Sequence, residues 1–364
     1  MLAPRDADSL DEALLAGFEK ARAAGNVMAC DPLGIEFKVL EGALGIVVSW
    51  HEEHFSKKRA DGVGASGDLE VVLDLDPAIV AAKFNFSKAK SSEFLLELGP
   101  GVTDGPIRPA GFAVDCKWEN PVLVNLSPLA VGHVVMPLAC AALMPQVMTE
   151  RMLQAGLRIC GMSRRPDFRA VFNSRGAFAS VNHFHLHGLY LERCWMEHLH
   201  SRLPIEAAGR WKLAQSGPVC TESVRPPSYF LRALVLSCPF AALEDLTALA
   251  WKFVQICQEA NVPHNIIFRP RFEASDTTLA EPSSLELLLI PRKQQRHHDM
   301  RAAGFNAAVM EVAGLIVAQS QCTFDTLTEQ DVADVMGKGV ALPACEFDEL
   351  LSRAGLLDTS AQLP

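Results

Sequence analysis

No run of about 18 apolar residues occurs anywhere in the 364-residue chain, so nothing in it reads as a membrane-spanning helix. The first residues, Met1 to Asp8, are acidic and lack the apolar core of a secretory signal. Positive charge is also short. Lys and Arg number 33 against 43 Asp and Glu, a net charge of -10, which argues against a broad nucleic-acid or anionic-membrane surface. It leaves room for one local anion pocket. The ten cysteines contain no C-x-x-C pair, which excludes zinc knuckles and thioredoxin-like motifs. They read as reduced, buried thiols of a cytosolic protein. Charged residues make up only 21% against 49% hydrophobic, the balance of a well-packed globular chain.

Two motifs lack the context that would give them meaning. Gly62-Val63-Gly64-Ala65-Ser66-Gly67 matches G-x-G-x-x-G, but a dinucleotide fingerprint needs a strand before it and a helix after it. Here a polar basic tract precedes and the strand-like Leu69 to Leu73 follows, so a flexible loop is expected. His51-Glu52-Glu53-His54 has the wrong spacing for a zinc protease.

In chain order, Ser9-Leu10-Asp11-Glu12 is a capping box that opens a helix ending near Ala24, before Gly25. Strands are expected at Leu44–Trp50, Phe94–Leu98, Val122–Leu126 and Gly132–Pro137, the last two as a hairpin. Gly99–Pro121 reads as loop. Leu138–Gly161 has helical spacing, and Phe168–Asn173 is a strand.

The stretch that organises the chain comes next. His183, His185 and His187 alternate with Phe184 and Leu186, behind a polar loop containing Gly176 and Ser180. On a strand, alternate side chains share a face, so the three imidazoles would stand in a row, about 6.5–7 Å between neighbours. Phe184, Leu186 and Leu189 would turn to the core. Such a row suits metal ligation, a cupin-like barrel, or a nucleophile with two helpers. Zinc wants ligands converging on one point, and one strand seldom supplies three. The cupin pattern fails because no glycine follows Glu192 until Gly209.

The run His183-Phe184-His185-Leu186-His187-Gly188, entered through Ser180-Val181-Asn182, resembles the signature of the histidine-triad (HIT) superfamily. Further stretches make the chain similar to the GDP-D-glucose phosphorylase family, relatives of the plant GDP-L-galactose phosphorylases and of galactose-1-phosphate uridylyltransferase. They are Lys83 to Lys88, Val124 to Leu129, Gly132 to Pro137, Gly304-Phe305-Asn306 and Glu311 to Gly314.

An internal repeat accompanies the resemblance. Strand, helix, strand, loop, strand recur as Phe230–Leu236, Leu243–Ala260, Asn265–Arg269, Phe272–Ser284 and Leu285–Pro291. Asn265–Arg269 resembles Arg169–Asn173, but the strand in the triad's place has no histidine. The expected fold is therefore α+β, HIT-like, with antiparallel sheets, packed helices and two related halves, the second degenerate. The expected division is an N-terminal helix at 1–34, a catalytic half at 35–200, a linker at 201–228, a degenerate half at 229–355 and a tail at 356–364. Two halves in one chain predict an intramolecular pseudo-dimer and hence a monomer.

The resemblance implies roles. His185 falls on the nucleophile, His183 on its orienting neighbour, and His187 on the group that bonds a bridging or non-bridging oxygen. Ser180 and Asn173 match residues beside the leaving group and the α-phosphate, and Gly176 belongs to the loop between them. Asn125 takes the place of an acidic ribose ligand, and Lys88 is expected, like Asn85, near a phosphate. His133 matches a hairpin position that binds zinc in the uridylyltransferases. Their paired cysteines are missing, so no metal and no cofactor are expected. The implied substrates are GDP-glucose and inorganic phosphate, with no nucleic acid and no membrane as partner. The reaction is guanylyl transfer through a GMP-histidine, giving glucose 1-phosphate and GDP. The plant enzymes usually carry Gln at the third triad position, so His187 favours the GDP-glucose branch. A HIT hydrolase, a metal-binding β protein and a non-catalytic nucleotide-binding module stand as alternatives.

Overall fold

A computed structural model describes residues 9–25, 30–55, 77–99, 102, 119–191, 202–272, 282–295, 300 and 302–357. The expected Gly62–Gly67 loop, the Leu69–Leu73 strand, most of the Gly99–Pro121 and Phe272–Ser284 loops, and the 358–364 part of the tail lie outside them.

The chain opens with α1 (Leu10–Ala23), whose N-cap Ser9 accepts a hydrogen bond from the Glu12 N–H. This satisfies one of the amides a helix leaves unpaired at its start. Asp11, buried, accepts from Ser163 Oγ, the Arg164 N–H and Tyr190 Oη, which fastens the helix to the sheet. Strands β1 (Glu36–Val39) and β2 (Val47–Trp50) follow, then the short α2 (Pro77–Ala82). Next come β3 (Phe94–Glu97), β4 (Pro121–Val124), β5 (Val134–Met136), α3 (Glu150–Met162), β6 (Phe168–Asn173) and β7 (Leu186–Tyr190). The second half adds β8 (Trp211–Lys212), β9 (Cys220–Val224), β10 (Ala233–Pro239), β11 (His264–Arg271), β12 (Ser284–Pro291) and β13 (Leu315–Val317).

Ten strands form one sheet in the order β3-β4-β5-β7-β6-β11-β12-β10-β9-β8, and β1, β2 and β13 form a second, small one. All pairings in the large sheet are antiparallel. Its order reads the same from either end. β6 and β11 meet at the centre, flanked by β7 and β12, then β5 and β10, β4 and β9, and β3 and β8. The helices α3 and Leu243–Glu259 stand at equivalent places, each just before a central strand. The duplicated α+β, HIT-like architecture is thus present as one continuous sheet.

Alternation along the strands builds two cores. Ala170, Phe172, Phe184, Leu186, Ile266, Phe268 and Leu287 pack under the helices, while Val171, Leu189, Ile267, Leu288 and Ile290 pack on the opposite face. Phe184, Leu186 and Leu189 are all buried, but Leu189 belongs to the second core. It has the parity of the histidines, so it extends their face.

Several boundaries differ from the sequence reading. The segment 201–228 is not a bare linker: it contains the helix Pro204–Ala207 and the last two strands of the large sheet, β9 and the edge strand β8. Its prolines sit at the helix N-terminus and beside the strands, where a missing N–H costs little. The helix expected from Leu138 begins only at Glu150, where Thr149 caps it. Before that, Ala139 and Leu143 adopt left-handed backbone around a single 3-10 turn at Cys140–Ala142. β2 starts at Val47, and the strand expected at Phe230–Leu236 runs Ala233–Pro239. No described helix is long and apolar enough to cross a membrane.

Candidate active site

β7 begins at Leu186, so His183, at the end of a bend, and His185 precede it and only His187 lies within the strand. The alternation still holds because that stretch is strapped to another segment. The Phe184 N–H donates to the Met144 carbonyl at 2.7 Å, and the Gln146 N–H donates to Asn182 Oδ1 at 3.2 Å. Gln146 completes the strap from its side chain. Its Oε1 accepts the His185 N–H at 2.8 Å, and its Nε2 donates to the carbonyls of Asn173 (2.9 Å) and His185 (3.2 Å). Gln146 is 1% exposed, and sequence reasoning missed it. Nothing in the sequence marks a glutamine in an irregular stretch as a neighbour of residues 27 and 39 positions away.

The hydrogen bonds assign the imidazole protons. His185 Nδ1 lies 2.8 Å from the His183 carbonyl. A carbonyl can only accept, so Nδ1 carries the proton and Nε2 keeps its lone pair. His183 Nδ1 accepts the Phe86 N–H at 3.0 Å, so its own proton sits on Nε2. The Leu129 N–H donates to His133 Nδ1 at 3.0 Å, which puts the His133 proton on Nε2. That nitrogen is 3.1 Å from His187 Nδ1 and donates to it. His187 therefore bears its proton on Nε2. Asn125 Oδ1 accepts the Ser127 N–H, and its Nδ2 lies 3.0 Å from His133 Nε2 and 3.4 Å from His187 Nδ1, to which it is a second donor. The row thus presents a bare nitrogen at His185 beside an N–H donor at His187.

Burial keeps these rings neutral. Desolvation, with smaller repulsion from His185, pushes His183 down to about 4, the Cys140 carbonyl weakly opposing. Desolvation likewise brings His185 down to about 4, with the His183 carbonyl opposing. His187 falls well below its ordinary value through desolvation, then through its neighbours His185 and His133. His133 drops to about 3, mainly by burial. Phe86 seals this side, its ring centroid 5.0 Å from that of His185 and 5.7 Å from that of His183.

The second half supplies the floor. Asn173 Oδ1 accepts from Asn265 Nδ2 (2.7 Å) and from the Val309 N–H (2.8 Å). With its oxygen held twice, Asn173 has only its Nδ2 donor to offer a ligand. Arg292 is fully buried; it donates to Asn265 Oδ1 at 3.1 Å and to the Ala307 carbonyl. Gly176 turns the loop after β6 with φ of 74°, and its carbonyl accepts the Gln295 N–H at 3.0 Å. Ser180 ends that loop, exposed.

The residues expected from the sequence thus divide. His183, His185, His187, Asn173, Asn125 and His133 come together. Gly176 and Ser180 lie on the loop beside them. Lys88 turns away: its Nζ donates to the carbonyls of Ala81 and Lys83. Asn85 is buried and its Nδ2 bonds the Val80 and Lys83 carbonyls, a local structural task. No group of three His, Cys, Asp or Glu side chains is disposed to hold a metal among the described residues.

Comparison with known proteins gives matches along almost the whole chain. Residues 9–189 match the family model "GDPGP1-like, N-terminal domain", and residues 227–354 match "GDPGP1-like, C-terminal domain". The chain is 29% identical over 301 residues to GDP-D-glucose phosphorylase 1 of Bos taurus, covering 82% of this chain and 71% of that protein. It is 28% identical to the Danio rerio protein of the same name over 84% of this chain and 79% of that one. With GDP-L-galactose phosphorylase 2 of Arabidopsis thaliana it shares 25% identity over 88% of this chain and 70% of that protein. Among solved structures, yeast Ap4A phosphorylase in complex with Ap4A superposes with a TM-score of 0.53 at 13% identity, covering 93% of this chain and 99% of that one. That likeness concerns the fold.

Proposed function

We propose, from the premise that the chain belongs to the GDPGP1-like family, that it is a GDP-hexose phosphorylase acting on GDP-glucose. The observation that carries this reading is the proton assignment at the triad. An imidazole with Nδ1–H tied to a carbonyl and an open Nε2 is set to act as a nucleophile, and one with Nε2–H beside it is set to stabilise charge on oxygen.

In the first step His185 Nε2 attacks the α-phosphorus of GDP-glucose. The N–P bond forms, the bond from the α-phosphorus to the bridging oxygen breaks, and glucose 1-phosphate leaves. The His187 Nε2–H faces the oxygen on which charge develops. GMP stays on His185. In the second step inorganic phosphate attacks the same phosphorus, the N–P bond breaks and GDP leaves, restoring the neutral imidazole. Asn173 Nδ2 and the loop Gly176–Ser180 line the phosphoryl oxygens in this scheme. Neutrality of His185 matters, since a protonated ring has no lone pair to give. Support for the glucose branch comes from the relatives' names and from His187, at the position where the plant enzymes usually carry Gln.

Incubating the protein with GDP-glucose, with and without phosphate, tests the assignment. Phosphate-dependent release of glucose 1-phosphate and GDP in equal amounts is expected. GMP as the main product in the presence of phosphate would make the protein a hydrolase, and turnover of GDP-L-galactose in preference to GDP-glucose would move it to the other branch.

A further inference from the structure

The repeat that sets Arg169–Asn173 against Asn265–Arg269, together with the pairing of Val171 with Ile267, places a local two-fold axis between β6 and β11. β7 sets His187 opposite Val171, and β12 sets Leu288 opposite Ile267. The axis therefore carries His183 onto Ser284, His185 onto Glu286 and His187 onto Leu288. It carries Asn173 onto Arg269 and exchanges Asn265 with Arg169. On the catalytic side the central seam ends in two amides. On the other side it ends in two guanidiniums.

The second position has a charge balance that its own side chains do not close. Glu206 is held by Arg169, through bonds of 2.6 and 2.7 Å, and lies 3.8 Å from Arg269. Glu286 is shared by Arg269 at 3.1 Å, Arg271 at 3.4 Å and Arg210 at 3.6 Å. Among the described residues four guanidiniums thus face two carboxylates, inside a chain whose net charge is -10. Two of their donors are buried and have no hydrogen-bond partner among the described residues, Nε of Arg269 and Nη1 of Arg210. The Arg269 residue is 8% exposed. A buried guanidinium donor left unpaired is costly, and an unbalanced cluster of guanidiniums suits planar, multidentate recognition of phosphate. Burial holds the Arg269 pKa below its ordinary value, Arg169 and Arg202 adding to the effect while Glu206 and Glu286 oppose it. The Arg271 side chain is 41% exposed, so the cluster opens to solvent on that side.

We propose that this pseudo-symmetric position is a second, non-catalytic anion site, held by Arg210, Arg269 and Arg271, that takes a phosphate group, either inorganic phosphate or the phosphate of a nucleotide. A cluster serving only as a fold-internal ion-pair network would have its guanidiniums and carboxylates matched and its donors paired.

The test is thermal unfolding of the full chain at fixed ionic strength, with chloride replaced by inorganic phosphate and, separately, by GMP. A ligand that binds only the folded state raises Tm. Phosphate should raise Tm by several degrees in the natural protein and equally in His185→Ala. The double variant Arg210→Gln with Arg271→Gln should lose most of that rise. Should the pair fail to fold, Arg271→Gln alone, at the exposed rim, should weaken the apparent affinity for phosphate at least about threefold, the loss of one charge-assisted bond. An arginine-dependent rise with GMP at lower concentration than with phosphate would identify a nucleotide phosphate as the ligand. A rise with phosphate alone would identify the free anion. The proposal is overturned if neither probe raises Tm above chloride, if the rise survives in the arginine variants, or if it vanishes in His185→Ala.

Discussion

At the scale of single residues, the account turns on which nitrogen carries a proton. His185→Ala removes the attacking atom, and its loss should lower kcat by several orders of magnitude while the fold persists. Steady-state rates with a circular-dichroism control check this. Retention of more than about a tenth of the rate would exclude the covalent scheme. Gln146 touches no substrate in this scheme but fixes the backbone of His185. Gln146→Ala should lower kcat about 10–100-fold with little change in KM, and should cost about 1–3 kcal/mol of stability, because the His185 N–H is left buried without an acceptor. A pH profile distinguishes this site from one built on ordinary histidines. With His185 held near 4, the acid limb of kcat/KM should fall below about pH 5, well under the ordinary imidazole value of about 6.5. Stability has its own dependence. Between about pH 6.5 and 4 an unfolded chain protonates imidazoles that the folded chain keeps neutral, among them His133, His183, His185 and His264. The unfolded state then binds more protons, so stability falls as pH drops through that window and is independent of these groups above it.

At the scale of elements, the loop after β6 is the piece whose conformation carries the most consequence. Gly176 has φ of 74°, a left-handed backbone that a Cβ disfavours by about 1–2 kcal/mol. Gly176→Ala should therefore lower Tm by a few degrees and weaken substrate binding, as seen in KM. The extent of each element shows what a sequence carries on its face. β6 was legible to the residue because Phe168, Ala170, Val171 and Phe172 make a short mostly apolar run, and the strand is buried along its whole length. The triad was legible because alternation is local, although hydrogen bonds to Met144 and Gln146, and not a strand, hold the first two histidines in line. The stretch from Leu138 to Val147 was not legible. It has helical spacing, yet Pro145 cannot sit in a helix interior, and the Met144 carbonyl and Gln146 bond the triad segment instead. Strands β8 and β9 hid because they are short, two and five residues, and carry polar residues such as Lys212, Thr221, Glu222 and Ser223. Lys88 misled because its side chain meets carbonyls of its own turn, a contact its charge alone does not reveal.

At the scale of the whole molecule, the two halves are not separable parts. The segment after β12 brings the Val309 N–H to Asn173, and the segment after β7 brings Glu206 to Arg169 and Arg269. Each half thus lends hydrogen bonds or ion pairs to the other's central strand. The histidine-free half should matter to catalysis through Asn265 and Arg292. Asn265→Ala removes one of the two donors that fix the Asn173 oxygen and should reduce kcat/KM about tenfold or more, measured on the intact chain, with His185 still able to react. The central claim, that one chain runs two displacements through a histidine, is tested most directly by mass spectrometry of the intact protein. With GDP-glucose present and phosphate withheld, the protein should gain the mass of one GMP unit and release up to one equivalent of glucose 1-phosphate. The adduct should be acid-labile, absent in His185→Ala, and discharged as GDP when phosphate is added. No mass gain, together with initial-rate plots that intersect instead of running parallel, would contradict the account and indicate direct transfer between two bound substrates.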